Sequence, residues 1–336
     1  MLSFIQTFEI LSVLLLLEYF CTSNAIPLLE IEQSVPPKEA DKATVKQIDD
    51  LANEIIRLTL PEVSDEDMKI AAKIANMTQN LNLNGSEPAN EQEMNQNLQG
   101  LFELDIVLTE DQAKVILQKL EDQVAALGNA ESTGDKKYDD DSANDAGFVI
   151  RKKRKTIIES SIYNYWTASN MPIPYEFESD LPEQGREAIR AGIRLWEQNT
   201  CLRFRENGPG QARISFYNGP GCYSKVGMTG FSQRISIRTP GCTSIGTTSH
   251  EVGHALGMWH EQSRQDRDQF VRILFGNIQP SKLHNFNKNI EQNRGVQYDY
   301  GSVMHYGPTA FALIPHLPTI LTTKLQAALT IGQRSI

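Results

Sequence analysis

Long apolar runs are almost missing from this chain. After residue 25 no stretch is long and apolar enough for a helix to span a bilayer, so no membrane-spanning helix is expected. The single early run, Leu11 to Leu17, is too short to cross a hydrocarbon core and is flanked by Glu9 and Glu18. The first 25 residues also have no Lys or Arg and end in the small residues Ser23 and Ala25, so they read as a signal peptide with an uncharged front end. That places the product outside the cell. Cysteine is scarce, with four in 336 residues. Cys21 leaves with the leader, and an oxidising compartment then has Cys201, Cys222 and Cys242 to pair, which strands one of them. No internal repeat occurs.

Charge is unevenly spread. Residues 26–154 have 14 basic against 26 acidic residues, net −12, whereas 155–336 have 18 against 14, net +4. The boundary falls at the cluster Arg151-Lys152-Lys153-Arg154-Lys155. In a nuclear protein such a run is a localisation or nucleic-acid patch. A signal peptide excludes the nucleus, so the run reads as a dibasic processing site ending at Arg154, on an accessible linker, with no nucleic-acid partner.

Within the acidic segment, Val45, Ile48, Leu51, Ile55 and Leu58 recur at helical spacing over Asp41–Leu60. A second helix is expected over Glu66–Met77. Residues 79–99, rich in Asn and Gln, read as a linker, and the sequons at Asn76 and Asn84 fit glycosylation of a secreted segment. Thr109 and Gln112 form a capping box for a third helix with the stripe Ile116, Leu120, Val124 and Leu127. Residues 128–147 lack large apolar groups and are expected to be disordered. In the second half, Leu181–Asn199 and Thr247–Gly257 read as helices and 212–217 and 234–238 as strands. His284 and His316 have no motif around them and are expected at the surface.

The chemistry concentrates in His250-Glu251-Val252-Gly253-His254. Imidazoles four apart share one helix face, about 5 to 6 Å apart at Cβ, and both can reach one tetrahedral ion. Glu251 lies beside the metal, placed to hold water rather than to ligate. On a continuing helix His260 would lie about 15 Å along the axis from His250. Gly257 supplies the break, because glycine takes a left-handed helix cap without steric cost. Chance gives His-Glu-x-x-His in roughly one of a hundred chains of this length, and adding Gly257 and His260 reduces that to about one in a hundred thousand. Three unrelated core histidines are therefore a poor account.

The extended motif is the signature of the metzincin metallopeptidases. With Glu261, Arg264, Asp266-Arg267-Asp268 and Ser302-Val303-Met304-His305-Tyr306 it resembles the astacin family. Supporting matches are Trp166, Pro174-Tyr175, Asn199-Thr200-Cys201, Gly221-Cys222-Tyr223-Ser224, Gly241-Cys242 and Ile331-Gly332-Gln333-Arg334, so the likeness spans about 155 to 334. It implies an α+β, zincin-like catalytic domain of two subdomains. A twisted, mainly antiparallel sheet and an active-site helix stand above the cleft, an irregular half lies below it, and a mostly helical propeptide precedes it. It implies one Zn²⁺ per chain on His250, His254 and His260, with Tyr306 as an extra ligand that swings away to stabilise the oxyanion and Met304 in the turn beneath the metal. It further implies a Cys222–Cys242 disulfide, and Glu261 binding the α-amino group freed by propeptide cleavage. Phe102-Glu103-Leu104-Asp105 is similar to the family's propeptide motif F-x-G-D, whose aspartate ligates zinc; Leu104 stands where glycine is usual.

The expected function is thus that of a secreted endopeptidase made as a zymogen. Zinc on three neutral imidazoles brings the pKa of its water from 15.7 to about 7, and Glu251 is the general base that takes its proton. Expected partners are protein or peptide substrates, the chain's own propeptide as inhibitor and a processing protease of dibasic specificity. Family members continue into a segment whose cysteine pairs with the one matching Cys201, so a truncated C-terminus and an unpaired Cys201 are expected here. The competing classes are an inactive or unstable truncated isoform and a zinc-containing binding module without catalysis. No EGF-like or CUB domain follows to suggest a partner.

Overall fold

The computed structural model describes residues 35–59, 94–95, 98–132, 165–288, 296–314 and 317–332. The leader, the helix at Glu66–Met77, the sequons at Asn76 and Asn84, most of the 79–99 and 128–147 linkers, the cleavage cluster at Arg154 and His316 lie outside the described residues. The start of the 128–147 segment, expected to be disordered, is corrected, since residues 128–132 continue a helix.

Helix α1 covers Lys42–Thr59, with Val45, Ile48, Ala52, Ile55 and Ile56 on its buried face; of the expected stripe, Leu51 is only half-buried and Leu58 is corrected to an exposed position. Asp41 caps it, its carboxylate accepting from the Thr44 N–H at 2.8 Å. Helix α2 covers Glu110–Ser132 and opens with the reciprocal bonds of a capping box. Thr109 Oγ1 accepts from the Gln112 N–H at 3.3 Å, and Gln112 Oε1 accepts from the Thr109 N–H at 3.0 Å. The two helices share a core of Val45, Ile48, Ala52, Ala113, Ile116 and Leu120, closed by Val226 and Trp259 from the second half of the chain. The acidic segment is thereby packed onto the basic one by apolar contact.

Six strands form the main sheet: β1 (Ile106–Val107), β2 (Ile173–Phe177), β3 (Phe204–Glu206), β4 (Arg213–Tyr217), β5 (Cys222–Lys225) and β6 (Ser232–Ile237). Their order is β1-β5-β6-β4-β2-β3. Two helices, α3 (Glu183–Asn199) and α4 (Ile245–Ala255), pack on the sheet, with Ile189, Ile193, Trp196 and Val252 set against Ile173, Ile214, Phe216, Ile235 and Ile237. A lower, irregular half is built from 3₁₀ turns and a two-stranded antiparallel pair, β7 (Val271–Ile273) and β8 (Ile320–Thr322), around Phe286, Tyr298 and Phe311.

The α+β class holds, but the expectation of a mainly antiparallel sheet is corrected. Pairings β1–β5, β2–β3, β2–β4 and β4–β6 are parallel, and only β5–β6 is antiparallel. Parallel neighbours need a long crossover, and α3 lies in the one between β2 and β3. Central strand β4 buries Ile214, Ser215 and Phe216 in succession, the burial of a strand covered on both faces. Cys201, expected to be unpaired, is also corrected: it is disulfide-bonded in the full-length chain, and among the described residues no cysteine is free.

Candidate metal centre

Helix α4 is set firmly before it presents any side chain. Ser244 caps it, its hydroxyl accepting from the Thr247 N–H at 3.0 Å, and every residue from Gly246 to Ala255 is buried. The crossing with α3 is fixed by Thr248 Oγ1 donating to the Ala188 carbonyl at 3.1 Å and Trp196 Nε1 donating to the Ser249 carbonyl at 3.0 Å. Cys222 and Cys242 form a disulfide, Cα–Cα 5.8 Å, which ties β5 to the turn preceding α4.

His250 and His254 lie one turn apart with ring centroids 4.6 Å apart. The helix then ends. Gly257 has φ +103°, and its N–H donates back to the His254 carbonyl at 2.8 Å. An L side chain at that φ is strained, and a Cβ there would also lie 2.8 Å from Tyr165. The reversal carries His260 to ring distances of 5.3 and 4.9 Å from His250 and His254. Met304 packs beneath the helix, so close that a Cβ on Gly253 would lie 2.7 Å from its sulfur.

Each imidazole turns Nε2 inward, because its other nitrogen is engaged. His250 Nδ1 lies 2.8 Å from the Val303 carbonyl and His254 Nδ1 2.8 Å from the Met258 carbonyl. A carbonyl can only accept, which puts the proton of each neutral ring on Nδ1 and leaves the Nε2 lone pair for a metal. His260 Nδ1 instead meets a carboxylate, Glu103 Oε2, at 2.7 Å.

Asp105 joins the same point. Its Oδ2 is 3.0 Å from His250 Nε2 and 3.1 Å from His260 Nε2, and its Oδ1 is 3.5 Å from His254 Nε2. The four ligand atoms of Asp105, His250, His254 and His260 all lie within 4.8 Å of one another, and all four residues are buried. Three imidazoles and one carboxylate form a donor set that suits Zn²⁺. The electrostatics fit as well. Burial lowers His260, yet the Asp105 and Glu103 carboxylates outweigh it and raise the ring to about 10; the same two carboxylates give the pocket a negative field that favours a cation in place of that proton. Asp105 gets there through two successive left-handed residues, Glu103 (φ +46°) and Leu104 (φ +82°). The leucine standing in a glycine's place therefore adopts a glycine conformation.

Glu251 is fully buried between the two helical histidines. Tyr306 packs its ring 4.7 Å from that of His260 and donates its hydroxyl to the Glu103 carbonyl at 2.7 Å. The Glu261 carboxylate accepts from Arg264 Nη1 and from the Asp299 N–H, both at 2.9 Å, and burial raises it to about 7. His284, expected at the surface, is buried instead. Its N–H donates to Asn53 Oδ1 at 2.9 Å and its ring faces Asn53 and Asp49 of α1; burial lowers the ring to about 4 and raises Asp49 to about 7.

Sequence reasoning assigned nothing to Glu103, Asn95 or the Gln112 side-chain amide. Asn95 clamps both backbone groups of Cys222, donating to its carbonyl and accepting from its N–H, while Gln112 Nε2 donates to the Val226 carbonyl at 3.3 Å. Between them the Ser224 N–H donates to the Asp105 carbonyl at 2.9 Å. The outer edge of β5 is thus occupied along its length by the acidic segment. The one clue in the sequence was two carboxylates spaced two apart in a short motif.

The family description that matches residues 158–336 is that of astacin, a peptidase family. Zinc metalloproteinase nas-38 of Caenorhabditis elegans is 45% identical over 188 residues, 55% of this chain and 26% of that protein. Zinc metalloproteinase nas-30 of the same organism is 40% identical over 237 residues, 70% of this chain and 28% of that one. This chain therefore spans under a third of the length of either relative. High choriolytic enzyme 1 of Oryzias latipes, a hatching-enzyme zinc protease of known structure, is 37% identical over 52% of this chain and 88% of its own, with a TM-score of 0.48. Matched over more than half its length, the chain belongs to the astacin family of peptidases.

Proposed function

We propose that this chain is the precursor of a secreted zinc metalloendopeptidase. In this reading residues 1–25 are a signal peptide, 26–154 an inhibitory propeptide released by a dibasic-specific protease at Arg154, and 155–336 the peptidase domain. The observation that carries it is the convergence of three buried Nε2 atoms on the Asp105 carboxylate. Zinc bound by His250, His254 and His260 supplies a Lewis acid that polarises a peptide carbonyl and acidifies water.

The chain's own groups do the rest. Glu251, on the same helix turn as His250 and fully buried, accepts a proton from the attacking water and delivers it to the leaving amine. Tyr306 donates to the developing oxyanion once its hydroxyl is free of the Glu103 carbonyl, a kind of donor worth roughly 100- to 1000-fold in rate in other hydrolases. Protein or peptide substrates bind extended along the edge of β5 that the acidic segment vacates. After cleavage, Glu261 receives the new α-amino group, which offsets the burial of its carboxylate.

Latency follows from what the acidic segment covers. Asp105 takes the position beside the imidazoles, Glu103 engages Tyr306, and Asn95, Asp105 and Gln112 occupy the β5 edge. The test is expression of the secreted chain, cleavage at Arg154 and digestion of a denatured protein substrate. The wild type binds one zinc and cleaves; Glu251→Ala binds one zinc and does not cleave. A folded, zinc-loaded wild type no more active than Glu251→Ala would leave a binding module as the better reading.

A further inference from the structure

Two of the three imidazoles are oriented from within the peptidase domain, by the carbonyls of Met258 and Val303. The third is not. His260 Nδ1 is held by Glu103 Oε2 at 2.7 Å, and that oxygen also accepts from Ser263 Oγ at 3.0 Å. Glu103 belongs to the segment that leaves on maturation. Its carboxylate is fully buried, and burial of a charge is tolerated only where it is paired and hydrogen-bonded. Among the described residues its other oxygen, Oε1, has no hydrogen-bond partner, so the pairing with His260 and Ser263 is the one for which this side chain is buried. The left-handed backbone at Glu103 and Leu104 sets Glu103 on one nitrogen of His260 and Asp105 on the other, 2.7 and 3.1 Å away.

Carboxylates on the outer nitrogen of a ligating histidine fix its ring and raise its basicity, and losing such a partner weakens metal binding about 10- to 100-fold. We propose that Glu103 is a positioning residue for the zinc site: it orients His260 from the propeptide, so the precursor holds zinc more tightly than the mature enzyme by a contribution separate from that of Asp105. The propeptide then acts as a metal-loading device as well as a plug, and zinc enters before cleavage. This inference rests on the zinc reading of the site.

The test is chelator-competition titration of zinc on the full-length chain. The Glu103→Gln chain, which keeps the shape and removes the charge, is expected to bind zinc roughly 10- to 100-fold more weakly than wild type, with a shifted ligand-field spectrum when loaded with Co²⁺. A second arm does not depend on that variant alone: the Asp105→Asn precursor binds zinc more tightly than the same protein after removal of residues up to Arg154, and the difference vanishes in Asp105→Asn/Glu103→Gln. Glu103→Gln affinity within twofold of wild type, or an Asp105→Asn precursor whose affinity is unchanged by cleavage, overturns the role of Glu103. A folded wild type that binds no zinc overturns the metal reading itself.

Discussion

Leu104 offers a sharp test of how the acidic segment is seated. It holds φ +82° while its side chain is buried among Ile56, Tyr306, Phe311 and Ile331. Leu104→Ala removes the buried side chain and keeps the strain, at about 2 to 5 kcal/mol. Leu104→Gly removes the same contacts but also relieves roughly 1 to 2 kcal/mol of left-handed strain, offset by about 0.5 to 1 kcal/mol of extra unfolded-state entropy. Glycine is therefore expected to be the milder substitution by about 0.5 to 1 kcal/mol, the reverse of the usual order. The assay is hydrogen exchange of the Ser224 amide, whose bond to the Asp105 carbonyl joins the acidic segment to β5, in a Glu251→Ala background. At tenfold per 1.4 kcal/mol, Leu104→Ala exchanges at least about 30 times faster than wild type, and Leu104→Gly roughly two- to fivefold slower than Leu104→Ala. Faster exchange in Leu104→Gly than in Leu104→Ala would refute the left-handed backbone on which the placement of Asp105 depends.

Other perturbations reach different parts of the molecule. Gly257→Ala forces an L residue to φ +103° and a Cβ to within 2.8 Å of Tyr165; it is expected to lower stability by at least about 1 to 2 kcal/mol and to weaken zinc binding, because His260 loses its position. Unchanged metal affinity would show that the helix reversal does not need glycine. At the α1 interface, burial raises Asp49 to about 7. A carboxyl raised in the folded state contributes stability that is full below its ordinary value near 4 and is lost as pH climbs to 7. Asp49→Asn removes that loss, so its stability relative to wild type improves by about 2 to 4 kcal/mol between pH 4 and 7, measured by denaturant titration; a pH-independent difference would refute the buried placement.

What could be read locally was read well. The four-residue spacing of His250 and His254, the stop at Gly257, the Thr109–Gln112 capping box and the apolar stripe of α1 are each written within a short stretch of chain, where helix periodicity and cap chemistry act. What failed was long-range. Strand direction depends on which strands meet, and nothing inside residues 212–217 says that β4 lies parallel between β2 and β6. His284 looked superficial because its burial depends on Asn53 and Asp49, more than 200 residues away. Asp105 entered through its family motif, and Glu103 was overlooked because its partner, His260, is 157 residues distant.

The proposed latency, metal loading and hydrolysis all require one cation shared by three imidazoles and, before the proposed cleavage, a carboxylate. Zinc K-edge X-ray absorption on the purified full-length chain addresses that arrangement directly. One zinc is expected, with three imidazole nitrogens near 2.0 to 2.1 Å and a carboxylate oxygen at about 2.0 to 2.2 Å, the oxygen altered in Asp105→Asn. Zinc absent from a folded chain, or a coordination shell without imidazole scattering, would contradict it.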